Sequence, residues 1–135
     1  MGQLTLSLML AVKDAGEASK WYQEALGAVE KWSLGSVRGL ELGGTLFLLH
    51  PPTEKMTSPL DLGTTTVRVK LFTDDTNGLV TGALEAGATG LIDSIQDHET
   101  PWGMRRSGSF QDPFGHSWLV GDLAHLTWAV SPDGH

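Results

Sequence analysis

The chain contains no cysteine. That excludes disulfides, thiolate nucleophiles and thiolate metal sites, and leaves His, Asp and Glu as the strong metal donors. Bases are scarce too: nine Lys and Arg stand against 16 Asp and Glu, a formal net charge of -7 with a pI near 5.0. Such a surface opposes attraction to polyanions and anionic lipid, so no nucleic acid and no membrane is expected as a partner. No apolar run approaches the roughly 20 residues of a membrane span, and the start lacks the charged-then-apolar layout of a secretory signal. The expected compartment is therefore the cytoplasm. Also missing are a serine nucleophile elbow, a phosphate-cradling glycine loop and a dinucleotide fingerprint. What is present is a chain of 135 residues, 40% of them hydrophobic, enough for one globular domain with its own core.

Residues 4 to 12 alternate as a strand does, with Leu4, Leu6, Leu8, Leu10 and Val12 on one face and Thr5, Ser7, Met9 and Ala11 on the other. Asp14 then stands at a helix N-cap position. Ala18, Trp21, Tyr22, Ala25 and Leu26 follow at the spacing of one buried helical stripe, and Gly27 closes it. The pattern returns sixty residues later: Val67, Val69 and Leu71 alternate with Thr66, Arg68, Lys70 and Phe72, and Asp74 or Asp75 caps a helix striped by Leu79, Val80, Ala83 and Leu84. Asp14 and Asp74, Gly27 and Gly87, and Ala28 and Ala88 share that offset, which points to an internal duplication.

Short strand-like pieces follow each helix. In the first half they span about 29–34, 37–42 and 45–50, with Gly35-Ser36 and Gly43-Gly44 as hairpin turns. In the second they span about 90–95, 104–111 and 117–122, the last two joined by Asp112-Pro113-Phe114-Gly115. The segment 51–63, with three prolines, reads as a linker; in the tail 123–135, Leu126 and Trp128 are expected to pack and the last five residues to be disordered. The expected fold is α+β: paired βαβββ modules, about 4–50 and 64–122 within one domain, forming curved mixed sheets around a cavity with the helices on the outer face.

The opening LMLAVKDAGEASKWYQEALGA resembles the strand, helix and glycine that begin members of the vicinal-oxygen-chelate (glyoxalase / bleomycin-resistance / dioxygenase) superfamily. The stretch WGMRRSGSFQDPFGHSW resembles its PhnB-like branch more narrowly, and the likeness covers roughly residues 4 to 122. This resemblance implies paired modules, a homodimer and a cavity that in many members holds a divalent metal on His and Glu. Carried onto this chain, the metal positions fall near Ser7, Leu48 or His50, Arg68 and Leu119. Of these only His50 ligates, and a cation beside Arg68 would be repelled, so no metal and no other cofactor is expected.

The strand faces turned away from the helices supply the candidate ligand contacts. They are Ser7 and Met9 on the first strand, Arg68, Lys70 and Phe72 on the fifth, Arg105 and Phe110 on the seventh, Leu119 on the last, and Trp102 in the loop before Arg105. Beyond residue 62 there are nine acids and four bases, so two bases on one strand face are the clearest clue to an anionic ligand. Either those bases hold a carboxylate, phosphate or enolate, or the face is simply solvated, or they pair with acids on neighbouring strands. Trp102 offers a flat surface for an aromatic group, and one of Arg105 and Arg106 points inward because adjacent strand residues face opposite ways. His50 and His98 are the candidate general bases, while His116, in the turn, is expected to make a structural hydrogen bond.

The leading expectation is a metal-independent protein that binds an acidic or aromatic small molecule in the sheet cavity. The alternative is a lyase or isomerase, using a metal on His50 with Glu41, or no cofactor and His50 or His98 with Arg68. A third is an interaction module with a vestigial cleft.

Overall fold

In a computed structural model, residues 2–101 and 103–123 are described. They form two compact units, one ending at Thr64 and the other beginning at Thr65. Each is a βαβββ module, and the fold is α+β.

The first unit contains β1 (Leu8–Ala11), α1 (Ala15–Leu26), β2 (Val29–Leu34), β3 (Val37–Leu42) and β4 (Thr45–His50), then a one-turn helix α2 (Pro59–Leu62) within the proline-bearing linker. Its four-stranded sheet runs β1-β4-β3-β2, with β1 parallel to β4 and the other pairs antiparallel. Asp14 caps α1 as its sequence position requires: the carboxylate accepts the Glu17 N–H at 3.0 Å, a contact worth about 1 kcal/mol. At the other end Gly27 adopts φ 76°, and the Ala28 N–H donates to the Tyr22 carbonyl at 3.2 Å. A side chain at Gly27 would oppose that left-handed turn. Ala18, Trp21, Tyr22 and Leu26 are buried, with Ala25 half-buried, and the helix packs chiefly on β3 and β4.

The expected first strand, 4 to 12, is too long. Leu8 pairs with Phe47, so Leu6 would meet the first residue of β4 and Leu4 would lie beyond its end. With no partner backbone to fold against, Leu4 and Leu6 are 95% and 86% exposed.

The second unit contains β5 (Arg68–Thr73), α3 (Thr76–Glu85), a short 3-10 turn (Ile92–Ser94), β6 (Gln96–Thr100), β7 (Gly103–Gln111) and β8 (Ser117–Asp122), ordered β5-β8-β7-β6. The sheet repeats the first: β5 lies parallel to β8, and the remaining pairs are antiparallel. Of the two expected caps of α3, Asp75 is the one used: its carboxylate accepts the Gly78 N–H at 3.0 Å, so the helix starts are offset by one residue more than the match of Asp14 with Asp74. One expected strand is corrected. The segment 90–95 is not a strand: Leu91 and Ile92 are exposed, and the strand that pairs with β7 is the polar Gln96–Thr100. An edge strand open to water carries no apolar alternation for a sequence reading to detect.

The Asp112–His116 turn is held from inside. Asp112 is 2% exposed; its Oδ1 accepts the N–H groups of Phe114 and His116, each at 2.9 Å, and its Oδ2 accepts the Trp118 indole N–H at 2.8 Å. His116 is buried, and its backbone N–H is one of the two that Asp112 accepts in this turn. Among the described residues no helix is long and apolar enough to cross a membrane.

Candidate functional site

In the second unit α3 packs mainly on β7 and β8, over Phe110, Trp118 and Val120, all buried. Strand register assigns the other face. Arg68, Lys70 and Phe72 of β5 lie level with Ser117, Leu119 and Gly121 of β8, and these with Gln111, Ser109 and Ser107 of β7. From β6, Gln96 stands level with Ser107 and His98 with Arg105. The acids of these strands, Asp97, Glu99 and Asp122, alternate onto the helix side. The open face thus carries Arg68, Lys70, Arg105 and His98 and no carboxylate, in a chain of net charge -7. Local charge here is opposite to that of the whole molecule.

Arg68 and Lys70 form no ion pair among the described residues, so the expected alternative of acids on neighbouring strands is not what the geometry shows. Lys70 Nζ instead lies 5.2 Å from the Phe72 ring centroid. Arg105 and Arg106 divide as alternation requires. Arg105 is on the open face, where one guanidinium nitrogen donates to the Met104 carbonyl at 2.8 Å. Arg106 is on the helix side, donating to both Asp97 oxygens at 2.8 and 3.1 Å and to Asn77 Oδ1 at 3.0 Å.

The hydrogen bond from Arg106 holds the Asp97 carboxyl below the usual carboxylate range, against a smaller opposing effect of desolvation. A depressed folded value means that the contribution to stability is complete above the unfolded aspartate value of about 3.9 and is lost as pH falls through the folded one. The expected result is a small urea-midpoint difference between the parent and Asp97→Asn that is constant from pH 5 to 7 and shrinks below about pH 4. A difference that grows on acidification would contradict this pairing.

An open depression of about 420 Å³ lies where β5 and β8 begin and β7 ends; it is bordered by Arg68, Thr89, Gly90, Ser109, Gln111, Ser117 and Leu119. Thr89 belongs to the same row, bridged to Gln111 by backbone bonds of 2.7 and 2.8 Å. Phe110 also borders the depression, but its ring is 4% exposed and stacks parallel on Trp118 at 6.1 Å on the helix side. Its expected role as an open-face ligand contact is therefore corrected: the ring is core. Trp102 and the tail, with Leu126 and Trp128, lie outside the described residues.

In the first unit the open face carries Glu41 and His50 and one apolar row between them. Trp32, Gly39, Leu48 and Met9 form one cross-strand row through β2, β3, β4 and β1. Simple alternation would put Trp32 on the same side as Glu30, which pairs with the buried Leu40; a bulge between the two turns it over. That bulge hid Trp32 from the sequence reading, although the facing Gly39 was a signal. A Cβ built on Gly39 would lie 2.2 Å from Trp32 Cε2, so the indole rests flat on the glycine. Gly39→Ala is expected to push the indole outward, red-shift its fluorescence and cost about 1–3 kcal/mol. An unshifted spectrum would show that the ring does not lie there.

Ser7 lies just before β1 and is exposed, its hydroxyl donating to the Leu46 carbonyl; Met9 is exposed on the apolar row. His50 ends β4 on the same face, where its Nδ1 lies 2.9 Å from the Pro51 carbonyl. A carbonyl only accepts, so Nδ1 is the protonated nitrogen of this contact. His98 is in β6, not in a loop.

The fold family implies a divalent metal in many members, and the donor set here does not fit one. Of the implied positions, Ser7, Leu48, Arg68 and Leu119 offer no imidazole or carboxylate, and among the described residues no three His, Asp or Glu side chains come together. Glu41 does not assist His50. It pairs with Leu46, four residues before His50, a separation of roughly 13 Å along the strand.

Comparison with known proteins gives three findings. A family model described as Glyoxalase-like domain matches residues 7–120. Uncharacterized proteins of Mycobacterium bovis and Mycobacterium tuberculosis are 35% identical over 130 residues, covering 86% of this chain and 81% and 72% of theirs. Among solved structures, a glyoxalase-related enzyme from Fulvimarina pelagi superposes with a TM-score of 0.67 at 18% identity, over 98% of this chain and 96% of that one. The fosfomycin resistance protein FosX from Listeria monocytogenes, complexed with Mn(II) and sulfate, gives 0.67 at 14% over 90% and 91%. Lactoylglutathione lyase from Agrobacterium tumefaciens gives 0.64 at 17% over 90% and 95%. At these identities the solved structures speak for the fold.

Proposed function

Because this chain belongs to the glyoxalase-like domain family of the vicinal-oxygen-chelate superfamily, we propose that it is a small-molecule binding protein that takes an acidic or aromatic compound without a metal ion. The observation that carries this reading is the carboxylate-free open face of the second sheet, where Arg68 and Lys70 stand side by side. Each charge-assisted hydrogen bond to such a ligand contributes about 1.5–3 kcal/mol, and no neighbouring acid competes for the cations. The turn Asp112–His116 supports the PhnB-like branch. The free edges of both sheets support a homodimer, and the acidic, cysteine-free composition a cytoplasmic place.

Calorimetric titration with a panel of aromatic carboxylates and organic phosphates, in chelator, tests the proposal. At least one compound should bind more tightly than millimolar, and Arg68→Ala should weaken it roughly tenfold or more at an unchanged urea midpoint. Binding that vanishes in chelator, or a panel without a binder, would overturn it.

One observation favours a second reading, catalysis by a lyase or isomerase. The Pro51 carbonyl accepts from Nδ1 of His50, so Nε2 is the nitrogen that would act as a base or ligand. Turnover that disappears in His50→Ala while binding persists would establish it.

A further inference from the structure

The depression at Arg68 has more hydrogen-bond donors than a carboxylate uses. A guanidinium presents two parallel N–H groups in one plane, which satisfy both oxygens of a carboxylate by themselves. Here three hydroxyls, those of Thr89, Ser109 and Ser117, border the same space. None of the three has a hydrogen-bond partner among the described residues. Ser109 is fixed through its backbone instead, its N–H donating to Ser94 Oγ and its carbonyl accepting from that hydroxyl, both at 3.1 Å. Ser117 stands level with Arg68 on the adjacent strand, and Ser109 is its diagonal neighbour on β7, within the reach of one bound group.

Hydroxyls on two strands and a loop, beside a single cation on a third strand, match an anion whose oxygens point in three dimensions. We propose that this depression is a subsite for a tetrahedral dianion, a phosphate monoester or phosphonate carried on a small organic body. The inference rests on the reading above that an acidic small molecule binds this face. Charge complementarity supports it: no Asp or Glu shares the face, and Lys70 lies two residues from Arg68 on the same side of β5. At about 420 Å³ the space falls in the range of small-molecule sites and exceeds what an inorganic ion fills, with Leu119 offering an apolar surface to the organic part.

The test compares phenyl phosphate, phenylphosphonate and benzoate, which share the ring and differ in the acid, by calorimetry on the full chain. Phenyl phosphate and phenylphosphonate are expected to bind roughly tenfold or more tightly than benzoate. The Ser109→Ala/Ser117→Ala variant should bring both down to the benzoate affinity and leave benzoate unchanged. Should that variant fail to fold by circular dichroism, the same ratio measured on Ser117→Ala carries the test. Equal binding of all three probes, or an affinity for phenyl phosphate indifferent to the hydroxyls, overturns the subsite while leaving an acid-binding face. If no probe binds, both the subsite and that face fall.

Discussion

Asp112→Ala is expected to destabilise the second unit by about 3–5 kcal/mol. The carboxylate, itself buried, accepts two backbone N–H groups and the Trp118 indole N–H. Alanine removes the acceptor of the buried His116 N–H and Trp118 indole and of the part-buried Phe114 N–H, and each such loss in a buried place costs about 1–3 kcal/mol before relaxation. The damage spreads because Trp118 carries the stack with Phe110 under α3. Asp112→Asn is the informative companion. Its amide oxygen still accepts, but its NH2 must face a donor, either the indole or the two amides, so an intermediate loss of about 1–3 kcal/mol is expected. Urea denaturation followed by tryptophan fluorescence and circular dichroism measures both. A loss below about 1 kcal/mol for the alanine variant would mean that the turn closes without its carboxylate.

Tyr22→Ala is the corresponding experiment in the first unit, with an expected cost of about 3–5 kcal/mol. Tyr22 is fully buried and meets two rings edge-on, Phe47 of β4 at 5.7 Å and Trp21 at 5.3 Å, so it joins α1 to the sheet beneath it. Removing the ring forfeits its buried area and leaves a cavity that α1, bonded at both ends, cannot easily close. Tyr22→Phe keeps both ring contacts and is expected to stay within about 1.5 kcal/mol of the parent. Comparable urea midpoints for Tyr22→Ala and Tyr22→Phe would contradict this packing.

These two residues also differ in how readily the sequence revealed them. Tyr22 belongs to a stripe at helical spacing between an aspartate cap and a glycine stop, and each of those signals acts within a few residues. The same locality made β2, β3 and β4 readable to their ends, because the Gly35 and Gly43-Gly44 turns punctuate them. Asp112 was legible as a turn residue. That its second oxygen receives the Trp118 indole was not, since that bond depends on how β8 returns across β7.

The candidate site followed the same division. Alternation placed Arg68, Lys70 and Phe72 together and separated Arg105 from Arg106, because a strand's side chains change sides at every residue. It misplaced Trp32, where a bulge interrupts that period, and it counted Phe110 toward the ligand although its phase belongs to α3. It passed over Thr89, Ser109, Gln111 and Ser117, whose short polar side chains carry no signal until register brings them level with Arg68.

By itself the sequence determined the two repeated βαβββ modules, their caps and turns, and the chemistry available: no thiol, few bases, one imidazole at the implied metal positions. Only tertiary structure decided that the open face of the second sheet holds cations and hydroxyls with no carboxylate, and that an indole lies across Gly39. The reason is physical. Caps, turns and periodicity are set by neighbours in the chain, whereas the composition of a sheet face is set by register between strands that the sequence keeps far apart.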